Sequence, residues 1–224
     1  MTKKEEFDYQ TEMKEYYKSD QVAAKYHQAY KESLRARMIA KYERKAVYSL
    51  LKKVPHSFVL DIPTGTGKLA SVFKKSASRV LACDISDQML KIAKNEFRSV
   101  DHDNVAFQVC DAEKISDTID ESFDVAVCLR LLHRVPDPVK RSILDELGKA
   151  ANHVIVSIGV ESRFHSIRRK IRELIMGGDI RDHCYVNKME TVQLMTDGFE
   201  IIESKAVFPF LSQEQVFLLK PHKR

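Results

Sequence analysis

Val59-Leu60-Asp61-Ile62-Pro63-Thr64-Gly65-Thr66-Gly67 is the stretch that decides the fold of this 224-residue chain. It leaves an apolar run typical of a buried strand, passes through a glycine turn and enters a helix from about Lys68. Glycines in such a turn let the backbone approach a ligand closely, and the first helical turn offers unpaired N–H groups. The stretch therefore predicts a ligand site at the carboxyl end of a buried strand.

Outward from this turn, short apolar runs alternate with amphipathic stretches. We predict strands at 58–62, 80–83, 105–109, 123–128 and 153–158, and helices at about 87–97 and 138–150. Alternation of this kind is typical of a parallel sheet with helices on both faces. The last two strands, near 200–207 and 215–219, are joined by too few residues for a crossover, so we expect them to pair antiparallel.

Three aspartates follow or end successive predicted strands. Asp61 closes the first, Asp84 the second and Asp111 the third. Since the carboxyl ends of parallel strands meet at one edge, these carboxylates are expected to lie together, where open α/β folds bind ligands. A carboxylate in the position of Asp84 can accept hydrogen bonds from both ribose hydroxyls, and Asp111 can accept one from an adenine amino group.

These motifs resemble those of class I S-adenosylmethionine (SAM)-dependent methyltransferases over roughly 59–158. The first family motif resembles VLDIPTGTG, and the fourth resembles FDVAVCLRLLH at 123–133. The chain departs from the family where Pro63 replaces the usual first glycine, Thr64 a common cysteine or serine, and Arg134 a frequent second histidine. The resemblance implies SAM as cofactor and S-adenosylhomocysteine (SAH) as product.

The fold implied by the resemblance is α/β and Rossmann-like. We expect a mostly parallel seven-stranded sheet of order 3-2-1-4-5-7-6, helices on both faces and an N-terminal helical cap. The predicted division is a cap segment over 1–54 and a SAM-binding domain over 55–224, together forming one structural domain. The cap contains no glycine and no proline, which are the usual helix breakers.

The resemblance also assigns site residues. His133 is the candidate base or substrate-orienting residue, and Tyr26 the cap tyrosine aimed at the cofactor. The other expected site residues are, for the cofactor, Asp61, Pro63, Gly65, Gly67, Asp84, Ile85, Met89, Asp111, Ala112 and Leu129, and, for the substrate, Arg130, Arg134, Tyr30 and Arg168. No metal site is predicted.

Other interpretations of the glycine turn exist. Residues 65–70 also satisfy GxGxxA, the pattern of a nicotinamide-binding domain. Against it, the chain leaves little room for a separate substrate domain, and Asp61 suits SAM better. A phosphate-binding P-loop is excluded because Ile62 stands where its first glycine is required and Leu69 where it needs Ser or Thr.

Charge, cysteine content and hydropathy limit the classes of partner and the cellular location that we expect for this protein. The formal net charge of +5 is modest and gives no strong signal for nucleic acid. We expect a cytoplasmic protein with free buried thiols, because the cysteines form no CxxC pair, no apolar run could span a bilayer, and the charged N-terminus lacks the apolar centre of a signal peptide. The basic segment 162–176 is typical of a solvent-exposed helix face, and it could alternatively contact an anionic substrate or membrane surface.

The function expected from these features is methyl transfer to the oxygen, nitrogen or sulfur of a small molecule. An anionic or glycolipid-related acceptor is one variant of this expectation. The alternatives are an RNA or protein methyltransferase and a catalytically silent SAM-binding subunit of a complex.

Overall fold

The computed structural model describes Lys14 and residues 33–160, 189–208 and 212–222. Tyr26, Tyr30, Arg168 and the basic segment 162–176 lie outside these residues, so the expectations for them stay predictions.

Helices and strands alternate along the described chain. The strands are β1 (Phe58–Asp61), β2 (Arg79–Asp84), β3 (Val105–Val109), β4 (Phe123–Cys128), β5 (Ala151–Gly159), β6 (Phe199–Ala206) and β7 (Glu214–Pro221). The helices are α1 (Leu34–Leu51), α2 (Ala70–Ser76), α3 (Asp87–Ser99), α4 (Ile115–Thr118), α5 (Asp137–Ala150) and α6 (Met189–Met195), with a 3-10 turn at Leu132–Arg134. None of these described helices combines the length and apolar character that crossing a membrane requires.

The seven strands form one sheet of order β3-β2-β1-β4-β5-β7-β6, which confirms the predicted topology. Strands β1 to β5 pair parallel, and β7 pairs antiparallel with both β5 and β6. The register places Asp61 beside Ala82 of β2 and Val127 of β4. The carboxyl ends of the central strands therefore meet at one edge of the sheet.

Alternate residues of the strands enter separate cores on the two faces. In β1, Val59 packs with α1 and α2, whereas Leu60 packs with α5 on the opposite face. Burial on both faces explains why these strands read as nearly continuous apolar runs. Three of the four cysteines, Cys83, Cys110 and Cys128, lie in or next to these cores as free buried thiols, as expected.

Apolar residues at helical spacing form a stripe along α1, and only the C-terminal part of this stripe covers one face of the sheet. Its C-terminal half is buried through Ala46, Val47, Leu50 and Leu51. Leu34, Met38 and Tyr42, which the helical spacing assigns to the same stripe, are exposed on the described chain. Tyr42 instead stacks on Phe208, with ring centroids 4.6 Å apart.

Candidate functional site

A cavity opens at the carboxyl ends of the central strands. Its lining includes most of the residues that the sequence assigned to cofactor and substrate: Asp61, Pro63, Gly65, Asp84, Ile85, Met89, Asp111, Ala112, Leu129, Arg130 and Arg134. Gly67 and His133 are not among the lining residues. Lys14, Glu43 and Glu113 line it as well, and the sequence analysis did not select them.

The carboxylate of Asp84 anchors the glycine turn. Its two oxygens accept hydrogen bonds from the backbone N–H of Gly65 and that of Ser86, each at 2.9 Å. The Ser86 hydroxyl in turn accepts from the backbone N–H of Met89 and so caps α3. Because both the turn after β1 and the start of α3 are bonded to this one side chain, Asp84 fixes the positions of these two parts of the cavity lining.

Gly67 serves the packing of the turn and does not face the cavity. A Cβ at this position would lie 3.0 Å from Ala93 Cα and 3.1 Å from Glu96 Cβ of α3, and its φ is +78°. At Gly65 the φ is +56°, but a Cβ would meet no atom of the described residues within 4 Å. The two glycines thus have different reasons for being there: Gly65 needs a left-handed backbone, and Gly67 needs that backbone together with close contact to α3.

This difference predicts unequal costs for two matched substitutions. Gly65→Ala should lower the free energy of unfolding by about 1–2 kcal/mol, because only the left-handed conformation is disfavoured. Gly67→Ala should cost roughly 2–5 kcal/mol, because overpacking against the α3 backbone adds about 1–3 kcal/mol. Urea unfolding of both variants checks the order, and equal losses would contradict the packing role of Gly67.

Asp61 and Asp84 are buried acids on the cavity wall, with residue exposures of 2% and 5%. Burial raises the pKa of Asp61 to about 7, and the charge of Asp84 adds to the rise. Burial also raises the pKa of Asp84 to about 6, although the N–H groups of Ser86 and Gly65 oppose the shift. No basic side chain of the described chain pairs with either carboxylate, so this part of the wall is complementary to a cation, whereas Lys14, Lys68, Arg130 and Arg134 line other parts of the cavity.

These pKa values predict how the stability of the ligand-free protein depends on pH. Between pH of about 4 and 7 the folded chain holds protons on Asp61 and Asp84 that the unfolded chain releases. The free energy of unfolding should therefore fall as pH rises through this window. Asp61→Asn should flatten the profile in urea unfolding. A variant that parallels the wild type at every pH would show that Asp61 does not titrate in this way.

Asp111 and Glu113 lie on another part of the wall, just beyond β3. Asp111 Oδ1 accepts from the backbone N–H of Glu113 at 3.0 Å. Lys14 Nζ donates to Asp111 Oδ2 at 2.6 Å and lies 3.3 Å from Glu113 Oε1. Burial opposes protonation of Lys14, but its hydrogen bond to Asp111 and the charges of both acids raise its pKa overall. The only signal in the sequence would have been charge complementarity across 97 residues.

Arg130 lies in the left-handed region, with φ of +59°, just after β4. Its backbone N–H donates to the Ser157 hydroxyl at 2.7 Å, which ties this bend to β5. Its Nε donates to Glu43 Oε1 at 2.7 Å, and its guanidinium lies 3.8 Å from Glu214 Oε2. Arg130 is one of the residues expected to contact the substrate. In the structure its guanidinium instead pairs with Glu43 and lies near Glu214, while Arg134 lines the same cavity.

His133 belongs to the 3-10 turn behind this wall. Its Nδ1 is buried and has no hydrogen-bond partner among the residues that the structure describes. Burial lowers the pKa of His133 to about 3, and the charges of Arg134, Arg130 and Lys140 lower it further. The imidazole is therefore neutral at physiological pH but is a weak base, and it does not line the cavity.

Residues 59–153 match a family model described as a methyltransferase domain. A ubiquinone biosynthesis O-methyltransferase from Idiomarina loihiensis is 28% identical over 129 residues, which are 56% of this chain and 48% of that protein. One from Coxiella burnetii is 32% identical over 80 residues, which are 36% of this chain and 33% of that protein. The chain thus spans less than half the length of these curated relatives.

Solved structures resemble the whole fold. A magnesium protoporphyrin IX methyltransferase from Synechocystis PCC 6803 with bound SAH has a TM-score of 0.77 at 17% identity. The match covers 95% of this chain and 100% of that protein's chain. An N-methyltransferase from Bradyrhizobium japonicum WM9, in complex with SAH, has a TM-score of 0.62 at 12% identity, covering 87% of this chain and 91% of that one. At these identities the likeness shows the fold. Residues 59–153 therefore match the methyltransferase domain family, and the chain has the Rossmann-like fold of class I, SAM-dependent methyltransferases.

Proposed function

We propose that this protein transfers a methyl group from SAM to a small-molecule acceptor and releases SAH. The observation that carries the proposal is the pair of buried acids, Asp61 and Asp84, on a cavity wall where no basic side chain of the described chain pairs with them. Leaving two carboxylates in such surroundings is costly unless a cationic ligand compensates them. SAM, with a sulfonium and an amino group, fits this requirement.

The lining residues also fit the nucleoside part of SAM. Each carboxylate oxygen of Asp84 accepts one hydrogen bond from a backbone N–H group. Each oxygen can accept a second hydrogen bond, and the ribose hydroxyls of SAM can donate it. Ile85, Met89 and Leu129 provide apolar surface for an adenine ring, and Asp111 provides an acceptor for its amino group. Gly65 leaves space beside the turn, because a Cβ there would contact none of the described residues.

When bound, SAM supplies a methyl group that its sulfonium has already activated. The chain then has to hold the acceptor atom in line with that group and keep water out. Leu129, Leu131 and Ile143 are the apolar lining residues suited to the second task. The curated relatives named O-methyltransferases favour oxygen as the accepting atom.

Calorimetry with SAM, SAH and NADH tests the cofactor, and SAH release from a metabolite pool tests the transfer. We expect SAM and SAH to bind and NADH not to bind. NADH binding without SAM binding would overturn the proposal in favour of a nicotinamide enzyme. SAM binding with no SAH release from any pool would favour a silent subunit, and strong, salt-dependent RNA binding would favour RNA as substrate.

A further inference from the structure

A second charged cluster borders the cavity, apart from Asp61 and Asp84. It consists of Glu43 from α1, Arg130 after β4 and Glu214 from β7. Glu43 and Arg130 line the cavity, and Glu43 is only 2% exposed. The cluster therefore presents a buried carboxylate to the cavity from an element that precedes the glycine turn in sequence.

The composition of the cluster is unusual for a purely structural ion pair. One guanidinium lies near two carboxylates, at 2.7 Å from Glu43 and 3.8 Å from Glu214, and Glu214 Oε1 is buried with no hydrogen-bond partner within the described part of the chain. Burial raises the pKa of Glu214 to about 8, the charge of Glu43 adds to the rise, and the charge of Arg130 opposes it. Apolar side chains would hold α1 on the sheet at no greater cost, because buried ion pairs contribute little net stability.

We propose that Glu43 is the residue that receives the proton of a neutral hydroxyl acceptor, with Arg130 and Glu214 as positioning residues. This inference rests on the proposed methyl transfer. In the step, a lone pair of the acceptor oxygen forms the new bond to the methyl carbon, and the carbon–sulfur bond breaks with its electrons going to sulfur. The O–H bond of the acceptor breaks as well, and its proton passes to the carboxylate of Glu43.

The charge of the cluster selects the acceptor. A hydroxyl must lose a proton during transfer and benefits from a base, whereas a neutral amine needs none before it attacks. A carboxylate in the wall accepts a hydrogen bond from a neutral O–H and repels the corresponding anion. Among the described residues, Arg130 from the end of β4 pairs with Glu43, Glu214 from β7 lies beside both, and Ser157 from β5 accepts from the backbone N–H of Arg130. The expected acceptor class is therefore a neutral hydroxyl compound, for which a phenol is a suitable probe.

Binding of 4-nitrophenol to the SAH-saturated protein tests the inference without turnover, because only the phenolate of this probe is yellow. Near the pKa of the free phenol, the wild type should bind the neutral form and bleach the yellow colour. Glu43→Gln should weaken binding of the neutral form by roughly tenfold or more, the loss of one charge-assisted hydrogen bond, and should abolish the bleaching. Glu121→Gln, on the exposed surface, is the matched control.

Calorimetric titration with SAH comes first, because it separates the two proposals. If SAH does not bind the wild type, the proposed function fails. If SAH binds, three results overturn only the role of Glu43: no 4-nitrophenol binding, binding as the phenolate, or equal bleaching by Glu43→Gln. If Glu43→Gln does not fold, Glu43→Asp provides the test. This variant keeps a carboxylate, so it should retain part of the bleaching of 4-nitrophenol, and a complete loss of bleaching would contradict the role of Glu43.

Discussion

Asp84→Ala is expected to weaken SAM binding by more than about 2 kcal/mol, roughly thirtyfold. The substitution removes the proposed acceptor of the ribose hydroxyls. It also leaves the buried N–H groups of Gly65 and Ser86 without their common acceptor. Each orphaned N–H costs about 1–3 kcal/mol, so the free energy of unfolding should fall as well, and the glycine turn should lose its fixed position.

Calorimetry with SAM and urea unfolding together measure this effect. Asp84→Asn is the informative partner, because its amide oxygen can replace one backbone acceptor while its NH₂ group faces a second donor. It should lie between the wild type and Asp84→Ala in both measurements. Asp87→Ala, at an exposed position of α3, is the control for the fold. Unchanged SAM affinity in Asp84→Ala would refute the assignment of this carboxylate to the cofactor.

SAM affinity is expected to rise steeply as pH increases from about 5 to about 7.5. The pKa of Asp61 is about 7 and that of Asp84 about 6, so both acids are largely protonated at the lower end of this range. A cationic ligand favours the ionised carboxylates and so lowers both pKa values on binding. Below its pKa in the free protein, each acid then contributes up to about tenfold in affinity per pH unit.

Proton release gives an independent measure of the same linkage. At about pH 6.5, binding enthalpies in two buffers of different ionisation enthalpy should show that protons leave the protein when SAM binds. Asp61→Asn should release fewer protons and show a flatter affinity profile, because only Asp84 then titrates. A wild-type affinity that is constant from pH 5 to 7.5 would mean that neither acid meets the positive charge of SAM.

The sequence by itself determined the fold and the identity of the main acids. Strand alternation, the glycine turn and the short link before β7 are local patterns, and each reports directly on backbone geometry. The periodicity located β3 and β4 to the residue, and the other predicted strand ends lie within about two residues of those observed. Asp61, Asp84 and Asp111 could be grouped because the carboxyl ends of parallel strands must converge.

Only the tertiary structure decided which charges meet. Glu43 pairs with Arg130, 87 residues away in the sequence, and Lys14 pairs with Asp111, 97 residues away. Local sequence patterns cannot predict pairs between residues so far apart along the chain. The same reason applies to Gly67, which the motif assigns to the ligand but which packs against α3 in the structure. It also applies to His133, which the turn after β4 places outside the cavity lining. A side chain's partner depends on how separate elements pack, and packing follows from the summed burial of the whole chain.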